Sequence, residues 1–192
     1  MGEIILADAS PIIYLAQLEN GLSWLKEVYG PVGVTPVVRN ELLPAKQVAG
    51  KRAIEEAFRL GILYVIETPW TTPQFAELDP GEASTLRAVV NLLNEGNSCL
   101  ILIDDKNGRE VLETLHLNLL EVSGTAAFVG RLKRKGMIKS AAAELSKLRE
   151  LGFRLSDEIV RYILDSAGES STLELPPAKP KISRGPHRRR RR

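Results

Sequence analysis

One cysteine, two histidines and no apolar run of membrane-spanning length are what this 192-residue sequence has in shortest supply. Cys99 alone can form neither an intramolecular disulfide nor a thiolate-rich zinc site, and a lone thiol suits a reducing compartment. With only His116 and His187 available, a histidine-based metal site or a Ser-His-Asp triad has no basis; His116 reads better as favourable charge at a helix C-terminus. Ser10 has no histidine to pair with and reads as a helix cap, not a nucleophile. Neither GxxxxGK[ST] nor GxGxxG occurs, so Gly30, Gly33 and Gly81 build no phosphate loop. No run reaches about eighteen apolar residues, and no basic leader precedes the first apolar stretch, so a soluble cytoplasmic protein without membrane association is expected.

Positive charge is scarce in the body of the chain and crowded at its end. Residues 179–192 hold eight of the 26 basic residues and none of the 24 acids, which leaves residues 1–178 with a formal charge of −6. An acidic body does not grip nucleic acid by charge over its whole surface, so any phosphate contact must be local. The segment from Glu169 onward, "ESSTLELPPAKPKISRGPHRRRRR", is proline-rich, then basic, and lacks an apolar period. It is expected to be a disordered basic tail (169–192) on a single domain (1–168).

What the body does contain is alternation. Short aliphatic or β-branched runs, "EIILA" (3–7), "VGVT" (32–35), "ILYVIE" (62–67), "CLILI" (99–103) and "LNLLEV" (117–122), read as strands buried on both faces. Between them, Ser10-Pro11, Thr35-Pro36 and Asp79-Pro80 place capping residues before first-turn prolines, and Gly96 and Gly152 stand where helices can stop. After Val122 the pattern is helical only, with Leu145, Leu148 and Leu151 at core spacing. Strands alternating with helices predict an α/β fold: a central parallel sheet of about five strands in a three-layer α/β/α arrangement.

In an open parallel sheet, ligands bind beyond the carboxyl ends of the strands. Asp8 stands at such an end, and Asp104 and Asp105 directly follow "CLILI". Glu41 in "TPVVRNELL" and Glu82 in "LDPGEAS" belong to helices that follow the same edge. Carboxylates gathered on one rim repel one another and raise their pKa values unless a divalent cation holds them. Each has a plainer role available: Glu82 is three residues after Asp79, the spacing of a reciprocal cap; Asp105 can cap "KNGREVLETL"; Glu41 can be a solvated helix residue. Asp8 is the hardest to explain away, because a strand packed on both faces offers it no local donor.

Assembled in this order, the residues resemble the PIN domain family. "ADASPIIYLAQL" is similar to its opening strand and helix with the first acid, "VTPVVRNELL" to the segment with the second, and "LDPGEASTLRAVV" and "LILIDDKNGREVLETLHL" to the third and fourth. A prokaryotic PIN-like branch shares a "GTxxFVxRLKRKGxI" type stretch, here "GTAAFVGRLKRKGMI", and a closing "GFRLSDEIVRYIL", and the resemblance covers about residues 3–168. It implies a nuclease dependent on Mg2+ or Mn2+, with Asp8, Glu41, Glu82 and the Asp104/Asp105 pair at its metal site. Asp105 is favoured as the fourth ligand and Asp104 as its outer neighbour. Typical members carry aspartate where Glu82 stands. The expected activity is endoribonucleolytic hydrolysis of RNA, as the toxin of a toxin-antitoxin pair, with a small antitoxin protein and a homodimer as partners; helix 140–151 is a candidate contact for either. Lys106, Arg109, Arg131, Lys133, Arg134 and Lys135 are the basic candidates for phosphate, beside the tail. The competing expectation is a noncatalytic PIN-like RNA-binding or regulatory module in which the acids only cap and fold. A phosphatase or receiver domain fits less well, since "DAS" after the first strand lacks the DxD nucleophile pattern.

Overall fold

A computed structural model describes residues 3–67 and 75–169. His187 and all of the expected tail except Glu169 lie outside the described residues. In chain order the elements are β1 (Ile4–Ala7), α1 (Ala9–Leu15), α2 (Gly21–Tyr29), β2 (Val32–Val34), α3 (Pro36–Leu42), α4 (Lys51–Arg59), β3 (Leu63–Val65), α5 (Pro80–Asn94), β4 (Cys99–Leu102), α6 (Lys106–Thr114), β5 (Leu120–Ser123), α7 (Thr125–Arg134), α8 (Ala141–Glu150) and α9 (Asp157–Ser166). The sheet is parallel throughout, in the order β3-β2-β1-β4-β5.

Alternation along β1 and β4 divides the core in two. Ile5, Ala7, Leu100 and Leu102 face one apolar layer with Ile12, Leu25, Val38, Phe128 and Leu145, while Leu6, Cys99, Ile101 and Ile103 face another with Leu86, Val89 and Leu112. Successive strand residues point to opposite faces, so an uninterrupted apolar run is what a strand between two helical layers requires. The three-layer α/β/α expectation therefore holds. Burial on both faces holds for β1, β2 and β4 only; β3 and β5 are the sheet edges and leave Tyr64 and Val122 exposed. The last strand also starts later than "LNLLEV" implies, because Leu119 takes a left-handed φ of 62° that no strand accommodates.

The chain runs outward from β1 through β2 to β3, then crosses to β4 on the other side of β1. This reversal puts the topological switch point between β1 and β4, where their carboxyl ends open a crevice. The two strands pair in register from Ile4–Cys99 to Ala7–Leu102, and the Asp8 N–H donates to the Leu102 carbonyl at 3.0 Å. Asp8, Asp104 and Asp105 thus leave the sheet side by side.

On the α7–α9 side, Leu145 and Leu148 are fully buried, together with Ala141 and Ala142. Helix 140–151 spends its aliphatic face on the core, so that face is not open to a partner; Leu151, past the last helical turn, is the exception to the core spacing and is exposed. Glu169 is anchored: its carboxylate accepts from Ser140 Oγ and from the Ala141 and Ala142 N–H groups at 2.5, 2.7 and 3.2 Å. These are the unpaired amides of the α8 N-terminus, a natural seat for an anion.

Candidate active site

Asp8 ends β1 and is itself the N-cap of α1, with extended backbone. Ser10 is not the cap; it lies inside the helix, because the chain turns helical directly after Asp8. The Asp8 side chain makes no capping hydrogen bond, is 5% exposed, and leaves Oδ1 buried without a partner. Burial raises its pKa above the ordinary aspartate value; the fields of Asp104 and Asp105 push the same way, and the facing Ala9 and Ser10 amides oppose it in part.

The two aspartates after β4 have different employment. Asp104 binds the start of α7, just past the neighbouring strand β5: Oδ1 accepts from the Thr125 N–H at 2.8 Å and Oδ2 from Thr125 Oγ1 at 2.6 Å. Gly124, the N-cap of α7, has no side chain to do this. A Cβ there would land on the Arg109 guanidinium, with Asp104 Oδ1 close by. Burial raises the Asp104 pKa, opposed by Thr125 and by Arg109. Asp105 caps α6 with one oxygen, Oδ2, which accepts from the Gly108 N–H at 3.0 Å. The plain capping role is therefore real for Asp105, yet it uses one oxygen of two.

Glu41 and Glu82 approach from α3 and α5. Thr35 caps α3, accepting from the Val38 N–H at 3.2 Å, and its hydroxyl meets Ser84 Oγ at 2.6 Å. Ser84 gives its own proton to the Gly81 carbonyl at 2.7 Å, so Thr35 is the donor between them. This buried link fixes α3 against the start of α5. The Glu41 carboxylate consequently rests on Gly81, its oxygens 2.6 and 2.7 Å from where a Cβ would stand. Only glycine admits the carboxylate there. Desolvation raises the Glu41 pKa, with Asp8 and Asp79 adding to it and the Gly81 N–H opposing, although most of the residue faces solvent. Glu82 is pushed up to about 7, first by desolvation, then by Asp105 and Asp8.

Each of the five predicted acids therefore stands on one rim, within the field of at least one other. Asp79 is a sixth that sequence reasoning treated only as a cap: it makes no side-chain capping bond and acts on both Glu41 and Glu82. Its signal was present in the spacing of "DPGE". The donor set is all hard oxygen, and the unpartnered Asp8 Oδ1 is the kind of atom a cation satisfies, so the residues fit Mg2+ or Mn2+ in chemistry. Among the described residues, however, no three histidine, cysteine or acidic side chains stand close enough together to enclose an ion as placed.

The basic residues proposed for phosphate are mostly engaged elsewhere. Arg109 donates through Nε and Nη2 to the Ile103 carbonyl at 2.8 and 2.6 Å, which stiffens the turn carrying Asp104 and Asp105. Lys106 pairs with Glu110 at 3.1 Å and Arg131 with Glu121 at 2.6 Å. Lys133 reaches the Lys139 carbonyl and Arg134 reaches Ser166 Oγ. Sequence reasoning also passed over Tyr14, on α1, whose hydroxyl lies in the fields of both Asp104 and Arg154. No sequence signal joins positions so far apart.

A five-stranded parallel sheet with acids at its switch point defines a class of α/β proteins that act at the carboxyl edge of the sheet. Within it, a family model described as PIN domain matches residues 4–169. The chain belongs to the PIN domain family. PIN domains are generally nucleases and typically bind divalent metals, so this is a nuclease-type domain. No curated protein and no solved structure matches the chain. Among the described residues, no helix is long and apolar enough to cross a membrane.

Proposed function

We propose that the protein is a metal-dependent endoribonuclease that hydrolyses RNA phosphodiesters. The observation that carries this reading is Asp8: a carboxylate 5% exposed, one oxygen unpartnered, facing two further acids at the β1–β4 switch point. A buried acid set among other acids costs stability, so its presence calls for a counter-charge. Asp8 and the free oxygen of Asp105 would be the central ligands to Mg2+ or Mn2+, and Glu41 and Glu82 would close on it from α3 and α5. Such an ion lowers the pKa of bound water and stabilises charge on the leaving oxygen.

The chain's own groups supply the rest. Glu82, at the first turn of α5 beside Asp105 and Asp8, would orient the attacking water toward the phosphate. Asp104, with both oxygens held by Thr125, acts as outer neighbour and keeps Asp105 in place. Arg109 holds the backbone just before them, at the Ile103 carbonyl. The test is a ribonuclease assay on purified protein with Mg2+, Mn2+ and chelator, beside Asp8→Asn: cleavage that needs the metal and vanishes in the variant supports the reading. Undiminished cleavage by the variant refutes the assignment of Asp8.

One observation favours the noncatalytic module: Asp104 and Asp105 already cap helices. Divalent-metal stabilisation absent in both wild type and variant would decide for it. Extending the family reading, we place the protein in the cytoplasm as the toxin of a toxin-antitoxin pair that forms homodimers. Ile159 and Tyr162, exposed on α9, are better contacts for a second copy or a small antitoxin than the buried face of α8.

A further inference from the structure

A negative rim that cleaves a polyanion needs a cation of its own, one that nothing else neutralises. Arg154 is exposed, and among the described residues no acid pairs with it. Its segment is held firmly. Buried Arg149 donates to the Leu155 carbonyl at 2.9 Å and to Asp157 Oδ1 at 2.6 Å, tying down the chain on the far side of Arg154. On the near side, Gly152 at a φ of 93° and the Phe153 N–H donating to Leu148 O at 2.9 Å close the end of α8. Phe153 then meets Tyr14 edge to face, with ring centroids 4.7 Å apart at 62°. Tyr14 belongs to the helix that Asp8 begins, and both rings are only partly buried.

We propose that Arg154 and the Tyr14–Phe153 ring pair hold single-stranded RNA across the acid rim, the guanidinium on a phosphate next to the scissile one and the open ring face under a base. The inference rests on the ribonuclease reading and adds the strand's binding track to it. A guanidinium on a fixed loop meets phosphate oxygens without reading sequence, and an aromatic face stacks any base. A duplex hides its bases and offers the rings nothing to stack, so the occupant is single-stranded. Tyr14 is kept in its neutral phenol form by burial and by Asp104, against Arg154.

The test is fluorescence anisotropy of the full chain with a labelled single-stranded RNA in chelator, where binding is read without turnover. Arg154→Ala should weaken binding about tenfold and lower the salt slope by about one, with melting temperature unchanged. Arg154→Lys should recover most of the loss, since a phosphate accepts a point charge. Tyr14→Ala should lose about fivefold or more, and Tyr14→Phe, which keeps the ring, should recover most of that loss; wild-type affinity in Tyr14→Ala would overturn the part given to the rings. Unchanged affinity and salt slope in Arg154→Ala would overturn the proposal, even if the wild type cleaves RNA. Tighter Arg154-dependent binding of single-stranded DNA would overturn RNA as the occupant. Arg154-dependent RNA binding without metal-dependent cleavage would uphold the track and remove the nuclease reading instead.

Discussion

At the carboxyl ends of β1 and β4, Asp8, Glu41 and Glu82 stand among other acids, and each has its pKa raised. In the α7–α9 layer most of the same side-chain types are matched, although Glu144 pairs through one oxygen only and its Oε2 is buried without a partner. Glu169 sits on two backbone amides and a hydroxyl near Lys133, Arg149 spans Asp157 and a carbonyl, and Lys147 pairs with Glu144. The Glu169 pKa moves the opposite way, down, because these donors outweigh its desolvation. Charge on both regions costs desolvation; the α7–α9 layer answers most of it with opposite charges from within the chain, whereas the rim gathers charges of one sign. Groups matched internally hold the fold, and groups left unmatched await something from outside.

The sharpest break in this contrast comes from Asp8→Asn. Metal-dependent cleavage should fall by at least about 10³-fold, while the melting temperature in chelator at pH 8 rises, because a buried like charge has been removed. A lower melting temperature would place Asp8 with the fold-holding groups. On the matched side, Arg149→Met should cost about 2 kcal/mol, since the Leu155 carbonyl loses its donor in a buried setting. A fall of several degrees is the expected reading by thermal denaturation, with no dependence on divalent metal.

Glu82 sharpens the comparison through pH. Its folded-state pKa of about 7 exceeds its ordinary 4.5, so the fold binds that proton more tightly than the unfolded chain does. Its contribution to stability is therefore full below about pH 4.5 and lost as pH rises through about 7. Wild type in chelator should lose melting temperature between pH 5 and 8, Glu82→Gln should flatten the loss, and Mg2+ or Mn2+ should restore more stability at pH 8 than at pH 5. An equal metal effect at both pH values would count against a carboxylate site. The smallest effect belongs to the solvent-exposed pair Lys106–Glu110: Lys106→Ala should change stability by less than about 0.5 kcal/mol, as a denaturant titration would record.

Much of the fold was legible because it rests on local rules. "IILA" and "CLIL" were legible as strands buried on both faces, and Thr35-Pro36 and Asp105 carry their capping roles in their spacing. The rim acids were legible as a set, since strand ends in a parallel sheet share an edge. Other readings failed where the neighbour in space is distant in sequence. Arg109 looked free for phosphate until the Ile103 carbonyl claimed it, and helix 140–151 looked available until α7 and α9 packed on its aliphatic face. Ser10 lost the capping role to Asp8 because the helix begins earlier than the proline suggests.

Alternating apolar pattern, capping residues and the order of acids determined by themselves an α/β sheet fold and a short roster of carboxylates, because periodicity and caps act within a few residues. Which acid is bound to Thr125, which leaves an oxygen free, and which arginine follows the ring packed on Tyr14 with no acid paired to it among the described residues were decided only by tertiary structure. Those outcomes depend on burial and on partners up to 140 positions away, and neither desolvation nor a through-space field is written in local sequence.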